Sequence, residues 1–528
     1  MTELVLKVVS SVVLACLFCV CTLKMVGAMQ QAGYKNGVFW RWLKRKDNLY
    51  YNRLAVFALC LALSTAIVSL CFSFLGVTWA LAISAVPCVL FCLFFCYADG
   101  KYALKVKTVR TGRFCRLFGV YLFFVAAVGY ILIALLGFLK DWNGSETYGL
   151  IAYVPFAVMP LLLPALLCAA NAVAGIFENE RNKKFVERAQ TVLNETEIIR
   201  VGVVGSYGKT SVKNILKTIL SEKYAVVETP ASYNTPIGIA KTVLSPDFAE
   251  KQILIAEMGA RQAGDIGQLC AFVKPDYAVF TGVCAQHIET FGSLENVLQE
   301  KSEIVRCGAK KVVCGKGLCG AVEENETVAF ACETKNVEKS LTSTRFVLAF
   351  DDGEIAVDTK LLGDSAVENI ALAATLAKEM GLTATEITSG IEKLQPVPHR
   401  LQLIENGGVY ILDDGYNCNI VGAKCALSVL GTHAGRKCVV TPGIVECGVL
   451  EEEINAALGA ALAAVNADLV LLIGQTLIQP VKEGYLQAGG DKEKLQSVNA
   501  LSDAQIKLGE WVRAGDAVLF LNDLPDVY

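Results

Sequence analysis

The sequence lacks an excess of charge of either sign, because 48 lysines and arginines face 51 aspartates and glutamates, for a formal net charge of −3. Proteins that reach nucleic acid through their overall field carry a strongly basic balance. The composition therefore gives no support to a nucleic-acid partner. Internal repeats at solenoid periods and low-complexity segments are missing too, so the 528 residues are expected to form roughly two to four domains.

Paired cysteine spacings of the kind that indicate a metal site are missing after residue 269, where ten of the 20 cysteines lie. The other ten precede residue 177, and Cys16, Cys19 and Cys21 fall within one apolar run. A free cysteine behaves as a small apolar residue that is often buried. We therefore expect buried thiols in a reducing compartment rather than disulfides or metal ligands.

Long apolar runs, by contrast, are plentiful in the first third of the chain. The whole sequence is 54% apolar, with a mean hydropathy of +0.47. The runs lie at residues 8–23, 54–75, 77–98, 117–139 and 150–176. Because a helix needs roughly 20 apolar residues to cross a bilayer, they predict a five-helix transmembrane region over residues 1–177. A cleaved signal peptide is the alternative for the first run, but Met1, Thr2 and Glu3 do not form a basic leader.

The charges in the predicted loops agree on one orientation. Lysine and arginine are concentrated between spans one and two and between spans three and four, whereas residues 140–149 are nearly neutral. Basic loops stay in the cytoplasm, which places the N-terminus outside and everything after residue 176 inside. A transporter is a weaker alternative, because the spans carry almost no charged residue at mid-depth.

The remainder of the chain is predicted to be an α/β protein. Residues 178–196 are polar and charged, which indicates a helical connector. Apolar, β-branched runs predict strands at residues 197–204, 252–258, 277–282, 310–314, 409–412, 437–441, 469–473 and 517–521. Helical patterns such as residues 212–220 and 294–305 alternate with them. This alternation is typical of a mainly parallel sheet covered by helices on both faces.

A glycine-rich turn follows the first of these strands. Gly202, Gly205 and Gly208 lead into Lys209 and a helical pattern, as in a loop that cradles phosphates. In such loops backbone N–H groups, a lysine and a hydroxyl receive the phosphates and Mg²⁺ of a nucleotide. The candidate nucleotide-binding residues here are Gly205, Ser206, Tyr207, Gly208, Lys209, Thr210 and Ser211. The strict pattern has glycine where this chain has Val203, so a chance glycine turn is the alternative.

Three further side chains could serve a site at the same edge of the sheet. Glu257 ends a predicted strand, where a carboxylate can reach Mg²⁺ held at the loop; a surface charge is the alternative. His287 follows the next strand and is one of three histidines, although a lone histidine is more often structural. Lys301 lies on a predicted helix, where a solvated lysine is the ordinary expectation.

These motifs continue in order along the chain. The first group comprises the glycine loop, Glu257-Met258-Gly259, His287 with Phe291-Gly292-Ser293, and Lys301 with Glu303-Ile304. The second comprises Gly363 with Asn369, Pro398-His399-Arg400-Leu401, Asp413-Asp414-Gly415-Tyr416-Asn417-Cys418-Asn419, and Thr441 to Glu446. Together they resemble the ATP-dependent Mur ligases, and within that family the MurF branch most. The likeness covers residues 197–528.

The resemblance implies an architecture and a reaction. A Mur ligase central ATP-binding domain is expected at residues 197–400 and a Rossmann-like C-terminal domain at residues 401–528. ATP would phosphorylate a substrate carboxylate, and the amine of an amino acid or dipeptide would then displace the phosphate. The implied setting is peptidoglycan precursor synthesis, with the catalytic domains on the cytoplasmic face of a bacterial plasma membrane.

The resemblance also implies roles for the phosphate-side residues. Lys209 would neutralise the β- and γ-phosphates, and Thr210 and Glu257 would hold a first Mg²⁺. His287 and Lys301 would serve a second Mg²⁺ if Lys301 is carbamylated, because a free ammonium repels the metal and a carbamate supplies an oxygen ligand.

On the nucleoside side, the resemblance places Asn369 against adenine. Arg400 would contact phosphate and Asp414 would contact ribose once the C-terminal domain closes over ATP. Such closure would keep water away from the acyl phosphate.

The chain departs from the MurF branch before the glycine loop. MurF proteins begin with a soluble domain that grips UDP, whereas residues 178–196 are too few to form a domain. We therefore expect the substrate to be a lipid-linked carboxylate that the enzyme meets at the bilayer surface.

The chain also departs from the MurF branch at its end. Residues 520–528 replace a Lys-Gly-Ser-Arg-type segment, which suggests that the incoming amine is changed. Two alternatives stay open: a Mur-type ligase with a lipid-linked non-peptidoglycan acceptor, and a nucleotide-binding membrane scaffold without catalysis.

Overall fold

A computed structural model describes most of the chain. The described residues are 2–44, 50–72, 86, 89–90, 92–97, 108–143, 154–286, 288–416, 418–474 and 477–522. They divide into two compact units, one that ends at Asn182 and one that begins at Lys183. Helices build the described part of the first unit, and sheets with helices build the second.

The helices that begin in the first unit are long and mainly apolar. Their bounds are Thr2–Cys21 (α1), Leu23–Gln31 (α2), Asn36–Lys44 (α3), Tyr50–Phe72 (α4), Gly112–Asn143 (α5) and Val154–Glu195 (α6). The predicted connector at residues 178–196 is helical as far as Glu195 and forms the last part of α6. Inside the unit, Asn171 of α6 donates from Nδ2 to Oδ1 of Asn36 at 2.9 Å, and Arg116 of α5 pairs with Glu178 of α6.

Two stretches of the described helices are long and apolar enough to cross a membrane, Gly112–Leu132 and Met159–Glu195. They overlap the fourth and fifth predicted spans. A bent pair of helices, Ser11–Cys21 with Leu23–Gln31, is a third candidate span if its 54° bend lies within one span. The first predicted run, residues 8–23, ends at this bend. The second and third predicted spans fall partly outside the described residues, so a total of five spans stays a prediction.

The predicted parallel sheet is present at the start of the second unit. Its strands are Ile199–Val204 (β1), Val226–Glu228 (β2), Ile253–Glu257 (β3), Tyr277–Phe280 (β4), Lys311–Cys314 (β5) and Val328–Phe330 (β6), in the order β2-β3-β1-β4-β5-β6. Every neighbouring pair is parallel. Val201 and Val203 of β1 enter one core and Val204 enters the other. Because both faces are covered, the carboxyl ends of the strands form the edge that is open to ligands.

Seven helices accompany this sheet in the described residues. They are Lys209–Leu220 (α7), Pro236–Val243 (α8), Asp265–Val273 (α9), Ile288–Phe291 (α10), Leu294–Ser302 (α11), Gly363–Glu379 (α12) and Ala384–Glu392 (α13). On α7, Val212, Ile215, Leu216 and Ile219 are buried, a spacing that gives a helix one apolar face. The pattern predicted at residues 294–305 ends early as an α-helix, because Glu303–Arg306 is a 3₁₀ turn.

An antiparallel sheet of three strands, absent from the sequence predictions, lies between β6 and α12 along the chain. Its strands are Glu333–Lys339 (β7), Thr344–Phe350 (β8) and Gly353–Thr359 (β9). Phe346 and Leu348 of β8 pack into the same core as the buried faces of α7 and α12. The sheet therefore supports α12, the helix that carries Asn369.

A second parallel sheet forms the C-terminal part of the unit. Its strands are Gln402–Asn406 (β10), Val409–Asp414 (β11), Lys437–Thr441 (β12), Leu469–Ile473 (β13), Leu495–Val498 (β14) and Ala517–Leu521 (β15), in the order β10-β11-β15-β12-β13-β14. The helices are Ile420–Gly431 (α14), Glu451–Val465 (α15), Ile478–Gln487 (α16) and Leu501–Trp511 (α17). Only β10 is antiparallel to its neighbour, which gives the Rossmann-like arrangement that was predicted.

Asn455 of α15 holds the loop that follows β12, and its replacement should destabilise the fold. The fully buried side chain accepts from the Ile444 N–H at 2.9 Å and donates to the Ile444 and Glu451 carbonyls at 2.9 and 2.8 Å. Asn455→Ala leaves buried backbone groups unpaired, so we expect a loss of about 3 kcal/mol in the free energy of unfolding. Thermal unfolding in detergent measures it. Equal losses in Asn455→Ala and in Asn406→Ala, at an exposed position, would contradict this explanation.

Candidate nucleotide site

The glycine loop joins β1 to α7 at the carboxyl edge of the central sheet. Gly205 and Gly208 have φ angles of 153° and 75°, in the region that favours glycine. A Cβ on Gly205 would overlap the Thr281 side chain. The Ser206 N–H donates to the carbonyl of Gly282 at 2.8 Å, so the residues after β4 fix the loop. The loop thus delivers the chain directly to the N-terminus of α7.

Lys209 is the first residue of α7, and its side chain folds back over the loop. Nζ donates to the Gly205 carbonyl at 2.7 Å and to the Ser206 carbonyl at 3.2 Å. Burial lowers the pKa of this amine, and the nearby Arg400 adds to that effect, while Glu257 opposes it. The ammonium therefore lies among the loop atoms that the sequence predicts to meet phosphate.

Thr210 and Glu257 meet beside the loop. The Thr210 hydroxyl donates to Oε2 of Glu257 at 3.0 Å, because β3 lies next to β1 and Glu257 is level with Val203. Glu257 is only 1% exposed. Its other oxygen, Oε1, accepts from Nδ2 of Asn234 at 3.2 Å. The strand-end carboxylate is therefore a buried group, not a surface charge.

Lys213 completes the surroundings of this carboxylate, and the sequence predictions missed it. Its Nζ lies 3.3 Å from Oε2 of Glu257, and its side chain is 1% exposed. The sequence did contain a sign of this buried lysine, because Lys213 lies among Val212, Ile215 and Leu216 on the apolar face of α7. A lysine rarely occupies such a position without a charged partner.

Lys301 is buried as well, at 2% exposure. Burial, together with a smaller effect of Lys209, lowers the pKa of its amine to about 7, against the opposing effects of Cys284, Glu300 and Asp265. The neighbouring Glu300 accepts from the N–H groups of Gly264 and Ile266, each at 2.7 Å, which ties α11 to the start of α9. Lys301 is therefore not a solvated lysine. His287, its predicted partner, lies outside the described residues.

Asn369 lies on α12 and is 7% exposed. A Cβ on Gly208 would come within 2.6 Å of its Oδ1. Burial raises the pKa of Tyr207 in the same loop to about 12, and Glu368, the neighbour of Asn369, adds to that rise. The structure therefore places Asn369 against the glycine loop.

Arg400 and Asp414 belong to the C-terminal side of the site. Arg400 stacks on the Tyr416 ring at 4.4 Å and donates to the Tyr416 carbonyl at 3.1 Å. Oδ1 of Asp414 accepts from the Leu401 N–H at 3.0 Å. Burial raises the pKa of Asp414 to about 6, and Arg400 opposes that rise. His399 and Leu401, on either side of Arg400, have φ angles of 61° and 47°, so this turn is held in a strained conformation.

One contact between the two parts of the unit lies next to this turn. The Tyr416 hydroxyl donates to Oγ of Ser232 at 2.8 Å, and Ser232 follows β2 of the central sheet. Neither residue was predicted to join the domains.

No group of three or more histidine, cysteine, aspartate or glutamate side chains suited to a metal occurs among the described residues. The donor set beside the loop is one hydroxyl and one carboxylate, on Thr210 and Glu257. Magnesium in nucleotide sites is commonly held by one or two carboxylates together with substrate phosphates and water. The pair therefore fits Mg²⁺ that arrives with a nucleotide.

Residues 203–377 match the Mur ligase middle domain. This part of the chain resembles the Mur ligases. Its relatives include the UDP-N-acetylmuramoyl-tripeptide–D-alanyl-D-alanine ligase of Bacillus subtilis, 27% identical over 63% of this chain and 74% of that protein. The Escherichia coli ligase of the same name is 29% identical over 55% of this chain and 68% of that protein.

Solved Mur ligase structures agree with the fold of the second unit. MurF ligase from Thermotoga maritima, in complex with ADP, is 26% identical, covers 65% of this chain and 80% of that one, and gives a TM-score of 0.57. MurF from Acinetobacter baumannii, at 22% identity, shares the fold with a TM-score of 0.58 over 65% of this chain and 77% of that one. The Mur ligase resemblance read from the sequence is confirmed.

Proposed function

We propose that this chain is an ATP-dependent, ADP-forming acid–amine ligase of cell-envelope synthesis. The observation that supports this most is the convergence of Lys209 and the Thr210–Glu257 pair on one glycine loop, with Arg400 near enough to lower the pKa of Lys209. Its relatives are named as ligases, and one MurF structure holds ADP. The reaction would form an acyl phosphate from a carboxylate and ATP, and an amine would then release phosphate.

Phosphoryl transfer mainly requires charge neutralisation and alignment of the reacting groups. Lys209 would exchange its loop carbonyls for the β- and γ-phosphate oxygens. Arg400 would bring a second positive charge to the phosphates, and Asp414 would accept from the ribose hydroxyls. Asn369 would contact the nucleotide on the adenine side of the loop.

Thr210 and Glu257 are the residues that would hold a first Mg²⁺, which supplies positive charge to the phosphates when bound. Their hydroxyl and carboxylate are the oxygen donors that Mg²⁺ prefers. Asn234 and Lys213 keep Glu257 in place through contacts of 3.2 and 3.3 Å. His287 and a modified Lys301 are proposed to serve a second Mg²⁺.

The burial of Lys301 suits carbamylation, because only a neutral amine adds CO₂. With a pKa of about 7, roughly a tenth of the amine is neutral at pH 6 and roughly nine tenths at pH 8. An ordinary lysine would stay charged over this range. Raising the pH should therefore favour the carbamate.

We expect the ligase activity to depend on CO₂ through Lys301. Removing bicarbonate at pH 8 should lower turnover about a hundredfold, the lower end for one charge-stabilising group. Its return should restore activity. Lys301→Arg should show the same lowered turnover with or without bicarbonate. Carbon-13 NMR with labelled bicarbonate should show a carbamate signal that Lys301→Arg lacks. Full turnover in CO₂-free buffer without this signal would rule the modification out.

The acceptor is proposed to be a lipid-linked carboxylate that reaches the site at the membrane surface. Gly112–Leu132 and Met159–Glu195 are long and apolar enough to cross a bilayer, and α6 runs on to Glu195, shortly before β1. The incoming amine would be an amino acid or a dipeptide, with D-alanyl-D-alanine as the first candidate from the names of the relatives. The catalytic unit would lie on the cytoplasmic side of the plasma membrane.

A substrate screen tests this function. The full chain in nanodiscs is given ATP, Mg²⁺, amines that include D-alanyl-D-alanine, and either a polyprenyl-linked or a UDP-linked muramoyl peptide. ADP release should require both an acceptor and an amine, and the lipid-linked acceptor should be favoured. Equal use of the UDP-linked acceptor would refute the lipid-linked proposal. Turnover on a lipid-linked non-peptidoglycan acceptor alone would favour the other Mur-type ligase. Nucleotide binding without turnover on any acceptor would favour the scaffold.

A further inference from the structure

Lys213 lies one helical turn after Lys209 on α7, and its side chain is buried. Its ammonium donates to the carbonyls of Thr229 and Ala231 at 2.6 and 2.5 Å, and lies 3.3 Å from Oε2 of Glu257. Three oxygen partners therefore surround an amine that is almost fully buried. Helix packing alone does not need a charge there, because Val212 and Leu216 pack on the same face.

The two carbonyls that Lys213 holds belong to the segment after β2. Ala231 has a φ angle of 46°, a conformation that costs on the order of 1–2 kcal/mol for a residue other than glycine. Such a conformation persists only where its surroundings impose it. The hydrogen bond from Lys213 to the Ala231 carbonyl is such a constraint.

The next residue, Ser232, makes one of the contacts with the C-terminal domain. Its hydroxyl accepts from the Tyr416 hydroxyl at 2.8 Å, and Arg400 stacks on the Tyr416 ring. A continuous series of contacts therefore runs from Glu257 through Lys213 and residues 229–232 to Tyr416 and Arg400.

We propose that Lys213 is a positioning residue that couples the Glu257 end of the nucleotide site to docking of the C-terminal domain. It holds residues 229–232 in the one conformation that presents Ser232 to Tyr416. Tyr416 in turn keeps Arg400 directed at the nucleotide. This deepens the proposed ligase function and rests on it for the nature of the ligand, but its direct consequence is on nucleotide binding.

A double-mutant cycle in ADP affinity tests the coupling. The full chain in detergent is titrated calorimetrically with ADP and Mg²⁺, as wild type, Lys213→Met, Tyr416→Phe and the double variant. Tyr416→Phe removes only the hydroxyl, and we expect it to weaken ADP binding about threefold, as for one neutral hydrogen bond. Lys213→Met should weaken it about tenfold, and the double variant should match Lys213→Met. Effects that multiply to about thirtyfold would overturn the proposal.

Lys217 provides the matched control, since it lies one turn further along α7 in a half-exposed ion pair with Glu228 at 3.1 Å. Lys217→Met should leave ADP affinity unchanged and should leave the threefold effect of Tyr416→Phe intact. Lys213→Gln, which keeps a hydrogen-bond donor, replaces Lys213→Met if the latter does not fold. A coupled cycle in a protein without ligase turnover would refute the proposed reaction and leave this inference standing.

Discussion

Replacement of Lys209 by methionine is expected to lower ligase turnover about a thousandfold, the upper end for one charge-stabilising donor. Methionine keeps the length of the side chain but removes the ammonium that donates to the loop carbonyls of Gly205 and Ser206. In phosphoryl transfer the negative charge spreads over the phosphate oxygens, and a fixed cation at the loop stabilises it. The measurement is ADP release with a saturating acceptor and amine.

The control for Lys209→Met is Lys217→Met on the same helix, whose pairing with Glu228 lies away from the loop. It should keep wild-type turnover. The folded state of both variants is compared by thermal unfolding, and Lys209→Met should not be less stable, since burial of its amine lowers the pKa and disfavours the charged form. If Lys209→Met kept more than about a tenth of wild-type turnover, the assigned role of Lys209 would be wrong.

Glu257→Gln is expected to affect both activity and stability. The amide keeps the shape of the side chain but removes the negative charge that faces Thr210 and Lys213. Turnover should fall at least about a hundredfold at fixed Mg²⁺. The buried Lys213 ammonium would lose its counter-charge, and breaking a buried pair from one side costs about 3–5 kcal/mol. Turnover and thermal unfolding measure the two effects separately.

Asp358→Asn controls for the loss of a carboxylate in general. Asp358 pairs with Arg345 across β8 and β9, and both side chains are exposed, so the pair contributes about 1 kcal/mol or less. The variant should be close to wild type in turnover and stability. A Glu257→Gln protein that matched Asp358→Asn in both measurements would show that the carboxylate neither binds Mg²⁺ nor stabilises Lys213.

The edge of the central sheet was predictable because its elements have strong local signals. The β-branched run before Gly205 and the spacing of the glycines predict a strand, a turn and a helix N-terminus. Glu257 follows from the same reasoning, since parallel strands end at one edge. The four strands predicted after residue 401 are present with the same starting residues, because their apolar runs are bounded by polar segments.

Other parts of the site depend on contacts that local patterns do not encode. The helical pattern of α7 does not distinguish Lys213 from the other lysines of that helix. Only the fold shows that its ammonium reaches Glu257. The Tyr416–Ser232 contact joins residues 184 positions apart. The sheet of β7, β8 and β9 escaped prediction because most of β7 is exposed, which leaves its sequence with little apolar alternation.

Transfer of oxygen-18 tests the central claim most directly. The acceptor that supports turnover is labelled with oxygen-18 in its carboxylate and converted with ATP and amine by the full chain in nanodiscs. An acyl-phosphate intermediate requires the phosphate to leave with one carboxylate oxygen, so the released phosphate should carry one label per product formed. Product that forms while the phosphate stays unlabelled would show that the carboxylate is not activated by phosphoryl transfer, and would contradict the account.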